Sequence, residues 1–539
     1  MKAITMDERY ELSPDNELIQ YLSQKNIDKK KDNVLSKYVT YPNSLSNLKN
    51  FKILLIFPPV TIPNGMMKRC IPPLGLCYVA ANLLAKGYNV SILDTVVEGY
   101  NCHAYSKKKE LLTYGLPLDE IQQRLKIENP DVIGISVVFS TDLENMYNVA
   151  RIVKNWKKDI PVIVGGLHPS IYPKEVFDET SLKNKRIIDF IIRGEGELRF
   201  PELLDNLKKQ RLNLKADGLC GWYNDRLFFN PQYSRIKDLD KLPFPAYDLL
   251  PIEKYFEINV PFSPVPKGKR VLPVLSSRGC PIGCNFCANT NMYKQFIARS
   301  PENVIEEIDF LQKKYQIDEI QFADDNLTLK KSRAKQLFQK LKQLNIIWCT
   351  PNGIMINTMD DEMMNLMAQS GMYQITLSID SGSAKTLKQF HKKPLKLRSI
   401  KGLVDKANEL EIFSHGTLVV GVPGETLLDI KEGMNFVYNL DLTSLSVFIA
   451  SPIPGSVLYH VALEKGFIQK KDARKINTTK CSMNLAGIDA TELENLVVQF
   501  QEKYAEKIKK TNPRLLEKKY KMLIGRDPTV SKKINFRLT

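Results

Sequence analysis

The sequence predicts an α/β protein with two parallel-sheet domains and a helical C-terminal region. Short apolar runs alternate with longer amphipathic segments from FKILLIFPP (51–59) to about residue 450. Several runs consist almost entirely of Val, Ile and Leu, as in DVIGISVVF (131–139), which is typical of parallel strands covered by helices on both faces. We therefore expect a doubly wound (Rossmann-like) parallel-sheet domain followed by a partial (β/α)6 barrel.

The doubly wound domain is predicted over residues 49–210, after a polar N-terminal extension over 1–48. Helical spacing of apolar residues is found in PPLGLCYVAANLLAKGY (72–88) and LDEIQQRLKIENP (118–130). The strands expected after the first are VSILD (90–94), DVIGISVVF (131–139), PVIVGG (161–166) and DFIIRG (189–194).

A proline-rich segment, 211–265, is predicted to be an irregular connection between the domains. Residues 266–465 contain six strand–helix repeats, which suit a partial barrel, although periodicity alone also allows an open sheet. Residues 466–539 are basic and poor in strand signals, so we expect them to be helical. The expected barrel strands lie in VLPVLSS, EIQFADD, IIWCTPNG, QITLSIDSG, SHGTLVVGVPG and SLSVFIASP.

The 539-residue chain carries a formal net charge of +17, from 77 Lys and Arg against 60 Asp and Glu. Its lysines are spread along the whole chain, which favours a solvated surface over a basic groove, so no nucleic-acid partner is expected. The first residues are polar, and no apolar run approaches the roughly 18 residues that a membrane span requires. A cytoplasmic protein without a membrane span is therefore expected.

Three of the nine cysteines, Cys280, Cys284 and Cys287, lie together in SSRGCPIGCNFCANT. The neighbouring glycines allow the backbone to wrap closely around a bound group. Thiolates favour iron–sulfur clusters, zinc or Cu(I), and a [4Fe–4S] cluster held by three cysteines leaves one iron open. A zinc loop is the alternative, but the paired C-x2-C knuckles typical of zinc are not visible.

The C-x3-C-x2-C spacing resembles the cluster motif of the radical S-adenosylmethionine (SAM) superfamily. FADDN (322–326), LSIDSGS (377–383) and VVGVPGE (419–425) resemble later motifs of the same superfamily. The resemblance implies a cluster that binds SAM and cleaves it reductively to a 5′-deoxyadenosyl radical. The SAM contacts it implies are Phe286 on the adenine, Asp324, Asp325 and Asn326 near the methionyl end or the substrate, Ser378, Asp380 and Ser381 at the ribose, and Gly421 and Glu425 on the adenine side.

The N-terminal half resembles the cobalamin-binding half of the B12-dependent radical SAM enzymes, notably in GGLHPSIYP (165–173) and RGEGELRFPELL (193–204). Doubly wound sheets bind ligands outside the carboxyl ends of their strands. The D-x-H-x-x-G motif whose histidine ligates cobalt is absent, so a turn role for His168 is favoured over a cobalt ligand. The resemblance implies a cobalamin rim of Pro58, Pro59, Ser136, Ser140, Gly165, Gly166, His168, Gly194 and Glu195.

This resemblance implies an enzyme that methylates an unactivated carbon, or less commonly phosphorus, by way of methylcobalamin. Its implied cofactors are a [4Fe–4S] cluster, SAM and cobalamin. Its implied partners are a small-molecule or carrier-bound substrate and a one-electron reductant of the flavodoxin or ferredoxin type. Oxidative cyclases of the same family are an alternative. No residue is assigned to catalysis, and Tyr247, Tyr373 and His415 are candidates from strand-end position alone.

Two further hypotheses are less favoured. A radical SAM methylthiotransferase would bind a second cluster, for which Cys70, Cys77 and Cys102 could be proposed. However, Cys77 lies within an expected amphipathic helix, so buried or incidental cysteines are favoured. A non-catalytic cobalamin or cluster sensor would not need the SAM-like motifs that accompany the three clustered cysteines.

Overall fold

The computed structural model describes residues 38–40, 51–106, 110–181, 186–231, 233–263, 266–469, 478–483, 485, 487–514 and 517. Most of the predicted N-terminal extension and much of the predicted C-terminal region therefore lie outside the described residues. The chain divides into two compact units, with the boundary between Ile258 and Asn259.

The N-terminal unit is built on a twisted α/β sheet. The strands described in this unit are β1 (Tyr38–Thr40), β2 (Lys52–Phe57), β3 (Val60–Pro63), β4 (Asn89–Asp94), β5 (His103–Ser106), β6 (Leu111–Tyr114), β7 (Val132–Ser136), β8 (Val162–Gly165), β9 (Phe190–Ile192), β10 (Arg211–Asn213), β11 (Leu219–Tyr223) and β12 (Arg226–Phe229). Five of them are parallel and lie in the order β4-β2-β7-β8-β9, which confirms the predicted doubly wound domain.

The strand order changes direction between β2 and β7. The chain passes from β2 outward to β4 and then returns to β7 on the other side of β2. In open α/β sheets such a switch point leaves a crevice at the carboxyl ends of the two strands. The central strands are fully covered, as in Ile53, Val132 and Val162, each of which is 0% exposed.

Helices follow the parallel strands, as expected for crossover connections. Amphipathic spacing places their apolar faces on the sheet, and the Leu118–Glu128 helix ends at Asn129, which adopts the left-handed conformation. The helices and helical turns of this unit are Leu74–Ala85, Thr95–Glu98, Leu118–Glu128, Ser140–Asp142, Leu143–Trp156, Leu167–Ile171, Pro173–Ser181, Gly196–Lys208, Leu239–Lys241, Tyr247–Leu249 and Ile252–Ile258.

The sheet extends into the segment that the sequence predicts to be an irregular connection. β11 pairs antiparallel with β9, and β12 pairs with β11 through a tight hairpin. Asn224 and Asp225 occupy the turn with φ of +45° and +59°, the conformation that two-residue hairpins require. The sequence YNDR (223–226) contains these two turn residues, but the proline-rich composition of the surrounding segment indicates an irregular connection instead. Two smaller sheets, β3-β6-β5 and β1-β10, complete the unit.

The C-terminal unit contains the partial barrel. Its described strands are β13 (Val271–Val274), β14 (Ser277–Arg278), β15 (Ile297–Ala298), β16 (Glu319–Phe322), β17 (Ile347–Ile354), β18 (Met372–Asp380), β19 (Phe413–Val420) and β20 (Ser444–Ile449). Six of them are parallel and lie in sequential order, β13-β16-β17-β18-β19-β20, which confirms the six predicted repeats. The short strands β14 and β15 pair with each other outside this sheet.

Amphipathic helices cover the outside of these strands. Trp348 on β17 is 0% exposed and stacks on Phe338 of the covering helix, with ring centroids 5.0 Å apart. The helices and helical turns before the C-terminal region are Asn289–Met292, Pro301–Tyr315, Lys331–Leu341, Lys342–Leu344, Ile356–Thr358, Asp361–Gln369, the π-helical turn Thr386–His391, Leu397–Ser399, Ile400–Glu409, Leu427–Tyr438 and Val457–Glu464.

The described part of the C-terminal region contains a long helix, Ala490–Thr511, as predicted. It packs along β20, the last strand of the sheet. The side-chain oxygen of Gln501 accepts a bond from Val447 N–H at 3.0 Å, and the Tyr504 hydroxyl donates to Leu440 O at 2.7 Å. The helix thus provides a hydrogen-bond partner for β20, which is an edge strand of the six-stranded sheet. Among the described helices, none has the length and apolar character needed to cross a bilayer.

Candidate active site

The three motif cysteines lie in the loop between β13 and the Asn289–Met292 helix, and we call residues 276–289 the cluster loop. β14 and β15 pair across its base, with Ser277 opposite Ala298. Gly279 has a φ of +89°, and a Cβ at this position would lie 2.3 Å from Gln295 O. Because no other side chain fits there, the loop requires the glycine that precedes its first cysteine.

The three thiols are free and partly exposed. The pKa of Cys284 is raised to about 12, mainly by burial; Lys393 lowers it, while the nearby Asp380, Cys287 and Cys280 raise it. The thiols are therefore close enough to influence one another. A bound metal would lower the pKa of these thiols, because cysteine binds metal as the thiolate.

The described residues contain no group of three His, Cys, Asp or Glu side chains arranged to hold a single metal ion. A [4Fe–4S] cluster does not require such an arrangement, since each of its three thiolates binds a different iron. Three soft donors in one closed, glycine-containing loop match the ligand chemistry of this cluster. The residues present therefore fit the predicted group.

Asp325 ties the two ends of the cluster loop together. One carboxylate oxygen accepts the Gly279 N–H at 2.8 Å, and the other accepts the side-chain amide of Asn289. Gly279 directly precedes Cys280, and Asn289 lies two residues after Cys287. The carboxylate thus restrains the loop on both sides of the cysteines.

The two neighbours of Asp325 also act on the cluster loop. Asp324 is 3% exposed and accepts bonds from the Ser276 N–H at 2.9 Å and the Ser276 hydroxyl at 2.6 Å, as well as from the Ser277 hydroxyl. The Asn326 amide nitrogen lies 4.0 Å from Cys280 Sγ, and its buried oxygen accepts no hydrogen bond within the described part of the chain. The sequence placed these residues near SAM or the substrate and did not foresee that they support the loop.

Phe286 stands edge-on to a histidine that sequence reasoning missed. Its ring centroid lies 5.1 Å from that of His391, at an interplanar angle of 77°. His391 is 0% exposed, burial lowers its pKa to about 4, and neither ring nitrogen has a hydrogen-bond partner among the described residues. Asn285 connects the two segments, donating from its N–H to His391 O at 3.1 Å and from its amide to Phe390 O at 2.9 Å.

The residues predicted at the ribose lie at the end of β18. Asp380 has a φ of +60° and forms a buried ion pair with Lys393. Lys393 also donates to Ser378 O at 2.7 Å, and Ser381 Oγ accepts the Ser383 N–H at 3.1 Å. Lys393 is a second residue that the sequence analysis missed, although it follows LSIDSGS by only ten residues. A ribose contact for this group stays a prediction.

Gly421 and Glu425 form the turn after β19. The Glu425 carboxylate accepts the Gly421 N–H at 2.7 Å and the Val422 N–H at 3.2 Å, and it accepts the Thr386 hydroxyl at 3.2 Å. Burial raises its pKa to about 7. Glu425 thus shapes the backbone of this turn, and its predicted place on the adenine side stays a prediction.

The strand-end argument for Tyr373 and His415 does not hold. Each is near the amino end of its strand, β18 and β19 respectively, whereas α/β barrels place their sites at the carboxyl ends. The Tyr373 hydroxyl donates to the buried Glu319 at 2.8 Å, and His415 Nδ1 lies 2.9 Å from Ser444 Oγ. Tyr247 is buried in a helical turn of the N-terminal unit.

Most residues of the predicted cobalamin rim follow the carboxyl ends of parallel strands in the N-terminal unit. Pro58 and Pro59 follow β2, Ser136 ends β7, and Gly165 ends β8. β2 and β7 flank the switch point, and a cobalamin contact for these residues stays a prediction. The Asn145 amide, in the helix after β7, donates to Pro59 O at 2.7 Å.

His168 faces the loop that follows β7. Its Nδ1 lies 2.8 Å from Ser140 Oγ, and the ring is 4% exposed. Gly166 has a φ of +110°, and a Cβ there would lie 2.1 Å from Val137 O, so the two loops approach each other through this glycine. His168 thus lies in the short Leu167–Ile171 helix with a hydroxyl beside its ring, and the choice between a structural role and a cobalt ligand stays a prediction.

Glu195 does not present its carboxylate to the predicted rim. Its side chain is 2% exposed, forms an ion pair with Arg235 at 3.2 Å and accepts the Ile236 N–H at 2.6 Å. The preceding Gly194 packs against the Tyr233 ring, which a Cβ would approach to 2.7 Å. Both residues hold the chain after β9 in place. Asp142, six residues beyond β7, accepts the Thr61 N–H at 2.9 Å, and burial raises its pKa to about 7.

Two of the three cysteines proposed for a second cluster do not support it, while the third, Cys102, is partly exposed. Cys70 and Cys77 are buried, and burial raises the pKa of both thiols well above its usual range. Cys77 lies within the Leu74–Ala85 helix, as expected. Thiols of this kind are inert structural residues rather than exposed ligands.

Comparisons with known proteins agree with the geometry. The B12 binding domain model matches residues 62–204, and the Radical SAM superfamily model matches 274–437. The cytidylyl-2-hydroxyethylphosphonate methyltransferase of Streptomyces wedmorensis is 32% identical over 480 residues, which cover 83% of this chain and 89% of that protein. An uncharacterized methyltransferase of Pyrococcus horikoshii is 31% identical over 457 residues, which cover 84% of this chain and 91% of that protein.

A solved structure shows the same fold. The cobalamin-dependent SAM radical enzyme OxsB, with aqua-cobalamin and SAM bound, matches 89% of this chain and 71% of its own with a TM-score of 0.64 and 16% identity. The two family models fall on the two units described above. The chain therefore belongs to the cobalamin-dependent radical SAM enzymes, whose cofactors are a [4Fe–4S] cluster, SAM and cobalamin.

Proposed function

We propose that this enzyme transfers a methyl group to an unactivated carbon of a small anionic substrate that carries a phosphonate or phosphate group. The observation that carries the proposal is the 32% identity, over 89% of its length, to a methyltransferase whose substrate is a cytidylylated hydroxyethylphosphonate. Oxidative cyclisation uses the same cofactors, but a relative that is a methyltransferase favours methyl transfer.

The chain's own residues would hold the cluster and keep its loop in place. Cys280, Cys284 and Cys287 would supply the three thiolates, and Asp324 and Asp325 would fix the loop that bears them. The bound cluster supplies the electron that cleaves SAM, and cobalamin carries the methyl group. The protein contributes binding, orientation and the exclusion of water.

The charge of the chain suits an anionic substrate. An excess of 17 positive charges gives the chain as a whole a net positive potential. Such a potential raises the local concentration of anions and speeds their encounter with the protein. A phosphonate or phosphate ester carries the matching negative charge at neutral pH.

The proposal is tested by anaerobic purification with hydroxocobalamin, followed by iron and cobalamin analysis. We expect a four-iron cluster and one cobalamin in each chain, and 5′-deoxyadenosine when SAM and a reductant are added. With a cytidylylated alkylphosphonate and deuteromethyl SAM, the labelled methyl group should appear on carbon. Each methylated product should be accompanied by one 5′-deoxyadenosine and one S-adenosylhomocysteine.

Two cysteine variants provide a matched control. Cys284→Ala removes a proposed cluster ligand, whereas Cys481→Ala removes another partly exposed cysteine of the same unit. We expect loss of iron and of 5′-deoxyadenosine formation only in Cys284→Ala. Iron and SAM cleavage without any methylated phosphonate or phosphate product would contradict the assigned substrate class, while absence of both cofactors from the wild type would contradict the enzyme class.

A further inference from the structure

A surface segment next to the cluster loop is strongly basic. Residues 384–401, AKTLKQFHKKPLKLRSIK, contain seven Lys or Arg and no Asp or Glu. Three of these cations are bound to carboxylates: Lys385 to Asp429, Lys393 to Asp380 and Lys401 to Asp405. We call the remaining four the basic ledge: Lys388, Lys392, Lys396 and Arg398.

The ledge residues are all exposed, and the described part of the chain offers none of them an ion-pair partner. Such a concentration of unpaired charge is locally unfavourable, because like charges repel one another. An anionic partner would remove that repulsion. The ledge is therefore a candidate docking surface rather than an ordinary solvated face with mixed charges.

The position of the ledge indicates what the partner does. The π-helical turn Thr386–His391 contacts the cluster loop through Asn285, whose N–H donates to His391 O at 3.1 Å and whose amide donates to Phe390 O at 2.9 Å. Asn285 lies between the second and third cluster cysteines, and Lys392 directly follows His391. A partner seated on the ledge would lie close to the cluster, and electron transfer becomes steeply slower with distance.

We propose that the basic ledge is the docking surface for an acidic one-electron carrier protein that reduces the cluster. This inference rests on the proposed function, since the cleavage of SAM consumes one electron for each turnover. The carrier gives up one electron on the ledge and the cluster accepts it, with no bond made or broken between the two proteins. Charge complementarity of this kind acts mainly on the rate of encounter.

The chemistry of the segment favours a protein carrier over a nucleic acid. Single-stranded nucleic acids bind basic surfaces on which exposed aromatic side chains stack with the bases. The only Phe, Tyr or Trp of the segment, Phe390, is 5% exposed. The ledge thus offers charge without a stacking surface.

The test compares two electron donors on the reconstituted full-length enzyme, and it also measures the binding of oxidised flavodoxin to the enzyme, with and without a single-stranded RNA as competitor. One is a reduced bacterial flavodoxin, which is an acidic protein, and the other is reduced methyl viologen, a small cation that does not require a docking surface. The variant is Lys388→Gln, Lys392→Gln and Lys396→Gln combined. The control combines Lys330→Gln, Lys431→Gln and Lys465→Gln, three exposed lysines of the same unit with no ion pair to a described residue.

We expect the ledge variant to form 5′-deoxyadenosine at least about tenfold more slowly with limiting flavodoxin at low ionic strength. Its rate with methyl viologen should equal that of the wild type, and the control should match the wild type with both donors. Added salt should slow flavodoxin-driven turnover of the wild type and should affect the ledge variant much less.

Equal flavodoxin-driven rates in the ledge variant, the control and the wild type would overturn the docking proposal. A loss with methyl viologen as well would also overturn it, because the lysines would then act on the site itself. Displacement of flavodoxin by tight, ledge-dependent binding of a single-stranded RNA would reassign the surface to nucleic acid. No 5′-deoxyadenosine from the wild type with methyl viologen would instead contradict the proposed function.

Discussion

Replacing Asp325 by alanine should release iron from the enzyme by loosening the cluster loop. The substitution removes two accepted hydrogen bonds, one from the Gly279 N–H at 2.8 Å and one from the Asn289 amide. A hydrogen bond to a charged group contributes roughly 1.5–3 kcal/mol. Because Asp325 is only half-buried, water replaces part of this interaction, and we expect a total loss of about 1–3 kcal/mol.

A loss of this size raises the fraction of molecules in which the cluster loop is disordered. One to two kcal/mol alters the ratio of ordered to disordered states by a factor of roughly 5–30. We therefore expect a ferrous-iron chelator to remove iron from Asp325→Ala at least about fivefold faster than from the wild type. The assay follows the absorbance of the chelator complex after anaerobic reconstitution, and a denaturant titration measures overall stability.

Asp318 provides a matched control at the other end of the barrel. Its carboxylate accepts the Lys269 N–H and the Arg270 N–H, each at 2.8 Å, just before β16 begins. Asp318→Ala therefore removes the same number of bonds, far along the strand from the cluster loop. Its iron release should match the wild type. Equal rates of iron release in Asp325→Ala and Asp318→Ala would refute the assignment of Asp325 as the residue that holds the loop.

Two further predictions concern stability. The pKa of Glu425 is raised from 4.5 to about 7, so the folded protein holds this proton more tightly than the unfolded chain does. The resulting stabilisation of the fold is fully present below pH 4.5 and is lost as the pH rises through 7. Glu425→Gln keeps an oxygen that can accept the Gly421 N–H but cannot titrate. We therefore expect the denaturation midpoint of this variant to vary less between pH 4.5 and 7 than that of the wild type. An equal dependence of the midpoint on pH in the two proteins would contradict this. Tyr504→Phe removes the bond to Leu440 O at 2.7 Å, and should lower the free energy of unfolding by about 1–2 kcal/mol without changing iron content. A loss of iron in Tyr504→Phe would contradict a purely structural role for this helix.

Much of the fold could be predicted because its signals are local. The apolar runs, the amphipathic helices and the three cysteines are patterns within about 15 residues, and the structure contains each of them. The hairpin at Asn224 and Asp225 was obscured by its proline-rich surroundings, although its turn residues are a local signal as well. Strand-end positions were a less secure guide, because each strand has two ends, and Tyr373 and His415 lie at the amino ends, away from the carboxyl ends where barrels place their sites.

The sequence by itself indicated the class of the enzyme through its resemblance to the radical SAM and cobalamin-binding families, whereas three thiolates in one glycine-containing loop only restrict the metal chemistry to a few soft metals and clusters. Only the tertiary structure decided which polar groups support that loop. Asp325 and Gly279 are 46 residues apart, and Asn285 and Phe390 are 105 apart. Such pairs form because parallel strands bring their carboxyl ends to one edge of the sheet, where each buried polar group must find a partner. That requirement fixes the partners of Glu195 and Lys393, which no spacing in the sequence specifies.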